Sequence, residues 1–491
     1  MSKPFNMRRL IHRSVLGGLS GLALCLVSWT ILYRPQWAGL TPRHLGHAHE
    51  LWADVPFAEP EQFWGWLAEE NKRIRGGEET RRMSWGALKS QGAKATVREN
   101  LRDDRRYLLS ALSGGFTNEF MSMSNVIYLA HESNRIPILM PFMGHESQFG
   151  GPPLHDLAVS DVFDLRLASA HLGGMPIVEL HELVAQDYQQ HRHKVTKFDG
   201  EFEQEDASGR TLVPGDLIVA EPAGQEILGC WNYALTHGRP LMFRQFNDVQ
   251  WVPIPKAVYA NDDDATEFGA DLVKISSFMR DAQAVPEESL QTLDQLDRQR
   301  PSVLPDPRLF CIDEVFWYID QPQRWHRHAE WHSGSGAWAA VGKHVRYQPA
   351  LVRLADEYLL HAFGMGSDQS LPPFFAVHIR RGAATTTEHY AHAAWEVLRD
   401  IKELLNIDIQ RIIFTTDERD PEWRAPLLSY GWHFVDHDAA GTSERFGHWM
   451  PTLLDTVILS RATGFLGTAD STCEPHDLYA YLLLADKLDQ D

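Results

Sequence analysis

The segment Ala376-Val377-His378-Ile379-Arg380-Arg381-Gly382 sets an imidazole and a guanidinium two residues apart at the end of an apolar run. In an extended strand that spacing points His378 and Arg380 to one side and Arg381 to the other. A guanidinium suits a diphosphate, because its planar fork makes two parallel hydrogen bonds and does not lose its charge. A structural ion pair with an aspartate is the alternative use of such a cation. A second segment, Gly114-Gly115-Phe116-Thr117-Asn118-Glu119, places two glycines before a helical pattern. Glycines let a backbone approach a ligand, and a helix start offers free N–H groups and partial positive charge. The full G-x-G-x-x-G spacing is absent, so no dinucleotide fingerprint is present, and taken alone this segment reads better as a tight turn with a helix cap. The third segment runs from Phe465 to Pro475 and includes Gly467, Thr468, Asp470, Ser471 and Thr472. Ser471 and Thr472 can donate hydrogen bonds to phosphate oxygens, or simply cap a helix.

Such groups act only if something holds them at the ends of strands. Residues 106–112 form a short apolar run, residues 118–133 carry apolar side chains at helical spacing, and residues 136–140 form a second apolar run before Pro141. Strand, glycine turn, helix and strand in that order imply a right-handed crossover and a parallel sheet. Further apolar runs stand at 175–178, 217–220, 240–243 and 309–312, and residues 189–210 and Asp262-Asp263-Asp264 read as surface loops. A second alternating block has strands at 374–379, 411–415, 432–435 and 464–467, with helices at 349–363, 391–405, 450–462 and 475–487. The predicted fold class is α/β, with two doubly wound Rossmann-like domains facing a cleft, at 105–340 and 341–491.

Composition narrows the classes of function. A net charge of −20 over 491 residues argues against general nucleic-acid binding, which needs a basic surface. Hydrophobic residues at 44% support a folded chain. Four cysteines are too few for a disulfide scaffold, and one disulfide among Cys230, Cys311 and Cys473 is compatible with an oxidising compartment, with the pair left open. At the N-terminus, Lys3, Arg8, Arg9 and Arg13 precede an uncharged stretch at 14–33, closed by Arg34. Twenty residues suffice to span a bilayer, and the flanking cations keep the tail (1–13) cytoplasmic. The expected product is a single-pass membrane protein with a stem at 34–104 and a lumenal body; a cleaved signal peptide is the alternative. An apolar helical face at 63–74 either belongs to that stem or docks on the body. No Asn-x-Ser/Thr sequon occurs.

Taken in order, the motifs resemble the GDP-fucose-dependent O-fucosyltransferases and their plant and fungal relatives. The matching residues are Gly114-Gly115-Phe116 with Asn118; then Ala130, Asn134, Arg135, Pro137, Leu139 and Pro141; then His378, Arg380, Arg381 and Gly382; then Thr416-Asp417-Glu418; then the stretch from Asp455 to Cys473. The resemblance implies a GT-B fold and an inverting transfer of fucose from GDP-fucose to a protein or glycan hydroxyl. It also implies that no metal or other cofactor is used, and residence in the Golgi or endoplasmic reticulum membrane. It would give Arg380 the β-phosphate and glycosidic oxygen, His378 and Asp455 the nucleoside, and Ser471 and Thr472 the phosphates. Asn118 and the Gly115-Phe116 backbone would line the site from the first domain. Without a metal, charge growing on the leaving diphosphate must meet donors already in place. Glu119 is the nearest carboxylate to serve as base, although a first-turn glutamate also simply favours the helix dipole. Ala383 and Cys473 depart from the family pattern. Two other readings compete: a metal-dependent GT-A-type transferase using Asp262–Asp264, and an inactive lumenal binding protein on a transferase fold. His326, His328 and His332 lack the spacing of a metal site.

Overall fold

The computed structural model describes residues 60–74, 86–90, 92–112, 115–142, 157–184, 226–232, 248–255, 258, 272–281, 284–295, 298–315, 340–380 and 386–468. It also describes short strands at 195–197, 204–205, 211–212, 217–219 and 478–482. The membrane-spanning stretch expected at 14–33, the Asp262–Asp264 triplet and His326–His332 lie outside these residues. Among the described residues no helix is long and apolar enough to cross a membrane. The described residues form two compact units, one from Thr80–Val159 and Ser169–Asp320, the other from Met1–Glu79, Ser160–Ala168 and Gln321–Asp491.

The first described element is helix α1, Pro60–Ile74, which belongs to the second of these units. The unit of residues 80–320 is built on strands β1 (Tyr107–Ala111), β2 (Ile136–Leu139), β3 (Val178–Glu179), β4 (Ile227–Asn232), β5 (Asp248–Pro253) and β6 (Leu309–Glu314). They form one sheet in the order β3-β2-β1-β6-β4-β5, and every pairing is parallel. All five residues of β1 are buried, as a strand covered on both faces requires. Helix α2 (Phe116–Glu132) makes the crossover from β1 to β2, as the apolar spacing predicts, and α3 (Leu272–Asp281) packs on it.

Cys230 of β4 and Cys311 of β6 form a disulfide, which settles the pair that the sequence leaves open. Two expectations change here. The run at 217–220 does not join the sheet: Leu217–Val219 pairs antiparallel with Val195–Lys197, inside the stretch read as a loop. Conversely, β4 and β5 are strands that the apolar runs do not reveal. Arg135, just before β2, is 2% exposed. Its guanidinium donates to the carbonyl oxygens of Met279 (3.2 Å from Nε), Tyr107 (3.2 Å) and Pro307 (3.1 Å), and lies 5.4 Å from the Phe310 ring centre. One cation thus ties α3, β1 and the approach to β6 together.

The second unit continues with α4 (Pro349–Ala362), β7 (Phe374–Ile379), α5 (Thr387–Leu405), β8 (Arg411–Thr416), α6 (Pro421–Ser429), β9 (His433–Phe434), α7 (Thr442–Phe446), α8 (Met450–Arg461), β10 (Gly464–Thr468) and β11 (Leu478–Leu482). The sheet order is β9-β8-β7-β10-β11, parallel except for β11. Alternation divides β7. Phe375, Val377 and Ile379 enter a core with Tyr390, Ala394 and Ile401 of α5 and Leu427 of α6. Phe374 points to the other face, where it meets Phe363 at the end of α4 (5.7 Å between ring centres), and α4 packs there with α8. Gly464 is demanded by packing, since a Cβ would lie 2.9 Å from both Ile401 and Phe375.

Residues 478–482 correct the helix expected at 475–487. They form β11, antiparallel to β10, where the alternating Leu-Tyr-Ala-Tyr-Leu pairs with backbone groups that an uncovered edge would leave unbonded. Helix α1 also resolves the choice left for its segment, because it docks. Phe63 and Leu67 are buried, and the Phe63 ring sits 4.8 Å from that of Phe446. Asn71 accepts from the Ala350 N–H at 2.9 Å and so caps α4, while Glu70 pairs with Arg353 at 2.6 Å.

Candidate functional site

In a parallel sheet, ligands meet the residues just beyond the carboxyl ends of strands. In the second unit that rule leads to β7 and its neighbour β8, where His378 lies opposite Thr415 and Ile379 opposite Thr416. His378 is half-buried, and its Nδ1 is 2.8 Å from the Thr415 hydroxyl. Burial pushes its pKa down. Asp455 and Asp417 pull it back up, and Arg380 adds to the depression. The imidazole is therefore neutral at neutral pH and acts by hydrogen bonding rather than as a cation. Those influences also show which charges surround it: a carboxylate from α8, another from the end of β8, and the guanidinium two residues along its own strand. Arg380 itself is exposed, as is Asp417.

The Thr416-Asp417-Glu418 motif splits in function. Glu418 is 3% exposed and turns back on its own loop, accepting from the Asp420 N–H at 2.8 Å and donating its N–H to Thr416 Oγ1 at 3.1 Å. Asp420 in turn caps α6 through the Glu422 N–H at 2.9 Å. Glu418 thus shapes the turn, and Asp417 is the member that His378 senses.

Asp455 carries a second contact. Its Oδ1 is 3.0 Å from Nε2 of His437, a residue that the sequence motifs do not single out. His437 stands in the turn after β9, also at a strand's carboxyl end, in the polar run Asp436-His437-Asp438. Strand-end position was the signal that marks it. Tyr358 and Thr442 complete the group and have no such signal, because both lie inside or at the start of helices.

The expected residues of the first unit are placed as follows. Gly115 is the N-cap of α2, with φ −80° and ψ 170°, and its carbonyl accepts from the Glu119 N–H at 2.9 Å. Phe116 is buried, its ring 5.1 Å from that of Phe142. Asn118 is half-buried, whereas Glu119 is 1% exposed. The structure brings His378, Arg380 and Asp455 together in one unit and places Gly115, Phe116, Asn118 and Glu119 together in the other. Ser471 and Thr472 lie outside the described residues. Among the described residues no group of three or more His, Cys, Asp or Glu side chains is arranged to hold a metal ion.

No protein-family model matches this chain, and no curated protein matches it. Among solved structures it is similar to POFUT1. The apo form matches at 12% identity and a TM-score of 0.39, over 75% of this chain and 92% of that one. The complex with GDP-fucose matches at 11% and 0.39, over 75% and 92%. The complex with GDP matches at 11% and 0.38, over 75% and 94%.

Proposed function

We propose that this chain is a glycosyltransferase that takes fucose from GDP-fucose, and that its second unit binds the nucleotide. The observation that carries the reading is the convergence of His378, Arg380, Asp417 and Asp455 at the carboxyl ends of β7 and β8. A parallel sheet presents a diphosphate ligand at that end, and an exposed guanidinium there is matched to two phosphate oxygens. The order of motifs in the sequence supports the choice of a GDP-sugar.

In this reading Arg380 meets the charge that grows on the leaving diphosphate as the C1–O bond breaks. A neutral His378 and the side chain of Asp455 bind the nucleoside by hydrogen bonds. Asn118 and Glu119 are carried as proposed catalytic groups of the first unit, Glu119 as the base for the acceptor hydroxyl. The Gly115 and Phe116 backbone, with Ser471 and Thr472, are proposed ligand contacts. Inversion at the sugar and a metal-free reaction belong to the same proposal. So does a lumenal location behind the N-terminal apolar stretch, which the Cys230–Cys311 disulfide supports, since such bonds persist in oxidising compartments.

Isothermal titration calorimetry in the presence of EDTA tests the donor assignment. GDP and GDP-fucose are expected to bind, and UDP to bind more weakly. A strict requirement for manganese or magnesium, or a preference for UDP, would overturn it.

A further inference from the structure

Behind Asp455 stand three more side chains in one hydrogen-bonded line. His437 Nε2 meets Asp455 Oδ1 at 3.0 Å, His437 Nδ1 meets Thr442 Oγ1 at 3.1 Å, and Thr442 Oγ1 meets the Tyr358 hydroxyl at 3.0 Å. The Tyr358 and His437 rings lie 5.9 Å apart between centres. Four separate elements contribute: α4, the turn after β9, the first residue of α7, and α8. A carboxylate oxygen accepts, so Nε2 of His437 donates to Oδ1 of Asp455. Nδ1 of His437 and the Tyr358 hydroxyl share the Thr442 hydroxyl between them.

Backbone hydrogen bonds and a glycine hold the turn that carries His437. The Thr442 N–H bonds the His437 carbonyl at 2.9 Å, the Ala440 N–H bonds the Asp436 carbonyl at 3.0 Å, and the Ala439 N–H bonds Asp436 Oδ1 at 3.0 Å. Gly441 closes it with a positive φ of 59°, a conformation that favours glycine. Thr442 is fully buried, Tyr358 is half-buried, the His437 side chain is 13% exposed and that of Asp455 28%. Of the two bonded groups the Asp455 carboxylate is the more exposed, and the histidine stands behind it. Oδ1 is committed to His437, which leaves Oδ2 for another donor.

We propose that His437 is a positioning residue for nucleotide recognition: backed by Thr442 and Tyr358, it holds Asp455 so that its second oxygen accepts from the N–H donors on the base edge of a guanine. This rests on the GDP-binding reading given above. A guanine edge offers two adjacent N–H donors and a uracil edge one, so an oriented carboxylate favours the first. A carboxylate free to rotate loses that preference before it loses all affinity. His437 touches neither the diphosphate nor the reacting bond, so it acts on recognition through Asp455.

The test is calorimetry of GDP and UDP with the full chain and its variants. His437→Phe keeps the ring volume and removes both hydrogen bonds. It is expected to weaken GDP binding about tenfold, the scale of one hydrogen bond to a charged group, and to weaken UDP less, so the GDP-to-UDP preference shrinks. His437→Gln, whose amide can donate to Asp455, is expected to stay within about threefold of wild type. Adding His437→Phe to Asp455→Asn should cost nothing further, because the two act through one contact. If His437→Phe does not fold, Thr442→Val removes only the support of Nδ1 and is expected to shrink the same preference. A purely structural role would lower the melting temperature and weaken both nucleotides alike, and that pattern overturns the proposal. GDP binding unchanged in a folded His437→Phe also overturns it. A wild-type chain that binds neither nucleotide instead rejects the GDP-binding reading, and this inference falls with it.

Discussion

Arg135 and Arg380 each adjoin a strand of a parallel sheet, at opposite ends of the strand's direction. Arg135 precedes β2, is 2% exposed, and spends its donors on backbone carbonyl oxygens of α3, β1 and the residues before β6. Burial, with repulsion from Arg106, brings its pKa down to about 10, so it remains charged at neutral pH. Arg380 follows β7, is exposed, and stands among His378, Asp417 and Asp455. Both residues occur in the motifs that carry the sequence resemblance, and their side chains are chemically identical. The difference teaches that strand polarity and burial, rather than residue type, separate a guanidinium that assembles the fold from one exposed beyond a strand's carboxyl end.

Replacing the buried member should give the largest effect on folding. Arg135→Met leaves several carbonyl oxygens without donors, each worth about 1–3 kcal/mol, partly offset because a charge no longer has to be buried. A net loss of roughly 2–4 kcal/mol is expected, a large share of the stability of an ordinary domain. Denaturant unfolding measures it. A change below about 0.5 kcal/mol would break the contrast, by showing that the buried guanidinium does not hold its unit together.

A smaller effect is expected at Glu357 of α4, which extends the contrast to a half-buried acid away from the strand ends. Burial raises its pKa to about 8, against the pull of Arg353 and Arg445, so the folded chain keeps a proton that the unfolded chain releases above about pH 4.5. Stability from this group is full at low pH and is lost as pH rises toward 8. Glu357→Gln mimics the protonated acid and should flatten that decline. Melting temperatures of the two proteins between pH 5 and 8.5 check it. Parallel curves would show that Glu357 titrates normally.

The strand-end segments around His378 and Asn118 were legible because apolar runs, glycines and a helical period mark a parallel α/β unit directly. Strands β4 and β5 were not. Gly229 and Cys230 interrupt the apolar pattern of Ile227–Asn232, and the need for that glycine is tertiary, since a Cβ there would overlap the backbone of Leu304 and Pro305. The last strand was misread because Pro475 resembles a helix start, whereas the fate of residues 478–482 depends on the open edge of β10. At the candidate site, His378, Arg380 and Asp455 were named from the sequence. Tyr358, His437 and Thr442 were not, because only packing brings α4, the β9 turn and α7 to Asp455.

The central claim is that Arg380 meets charge developing on a leaving diphosphate. Steady-state turnover of GDP-fucose on an acceptor, compared between wild type and Arg380→Ala with calorimetric GDP affinity and melting temperature in parallel, tests it most directly. A fall of about a hundredfold to a thousandfold in turnover is expected, with a much smaller loss of GDP affinity and an unchanged melting temperature, because the donor matters most where charge develops. Arg380→Lys should rescue only partly, since an ammonium cannot give two parallel hydrogen bonds. Near-full turnover in folded Arg380→Ala would contradict the account.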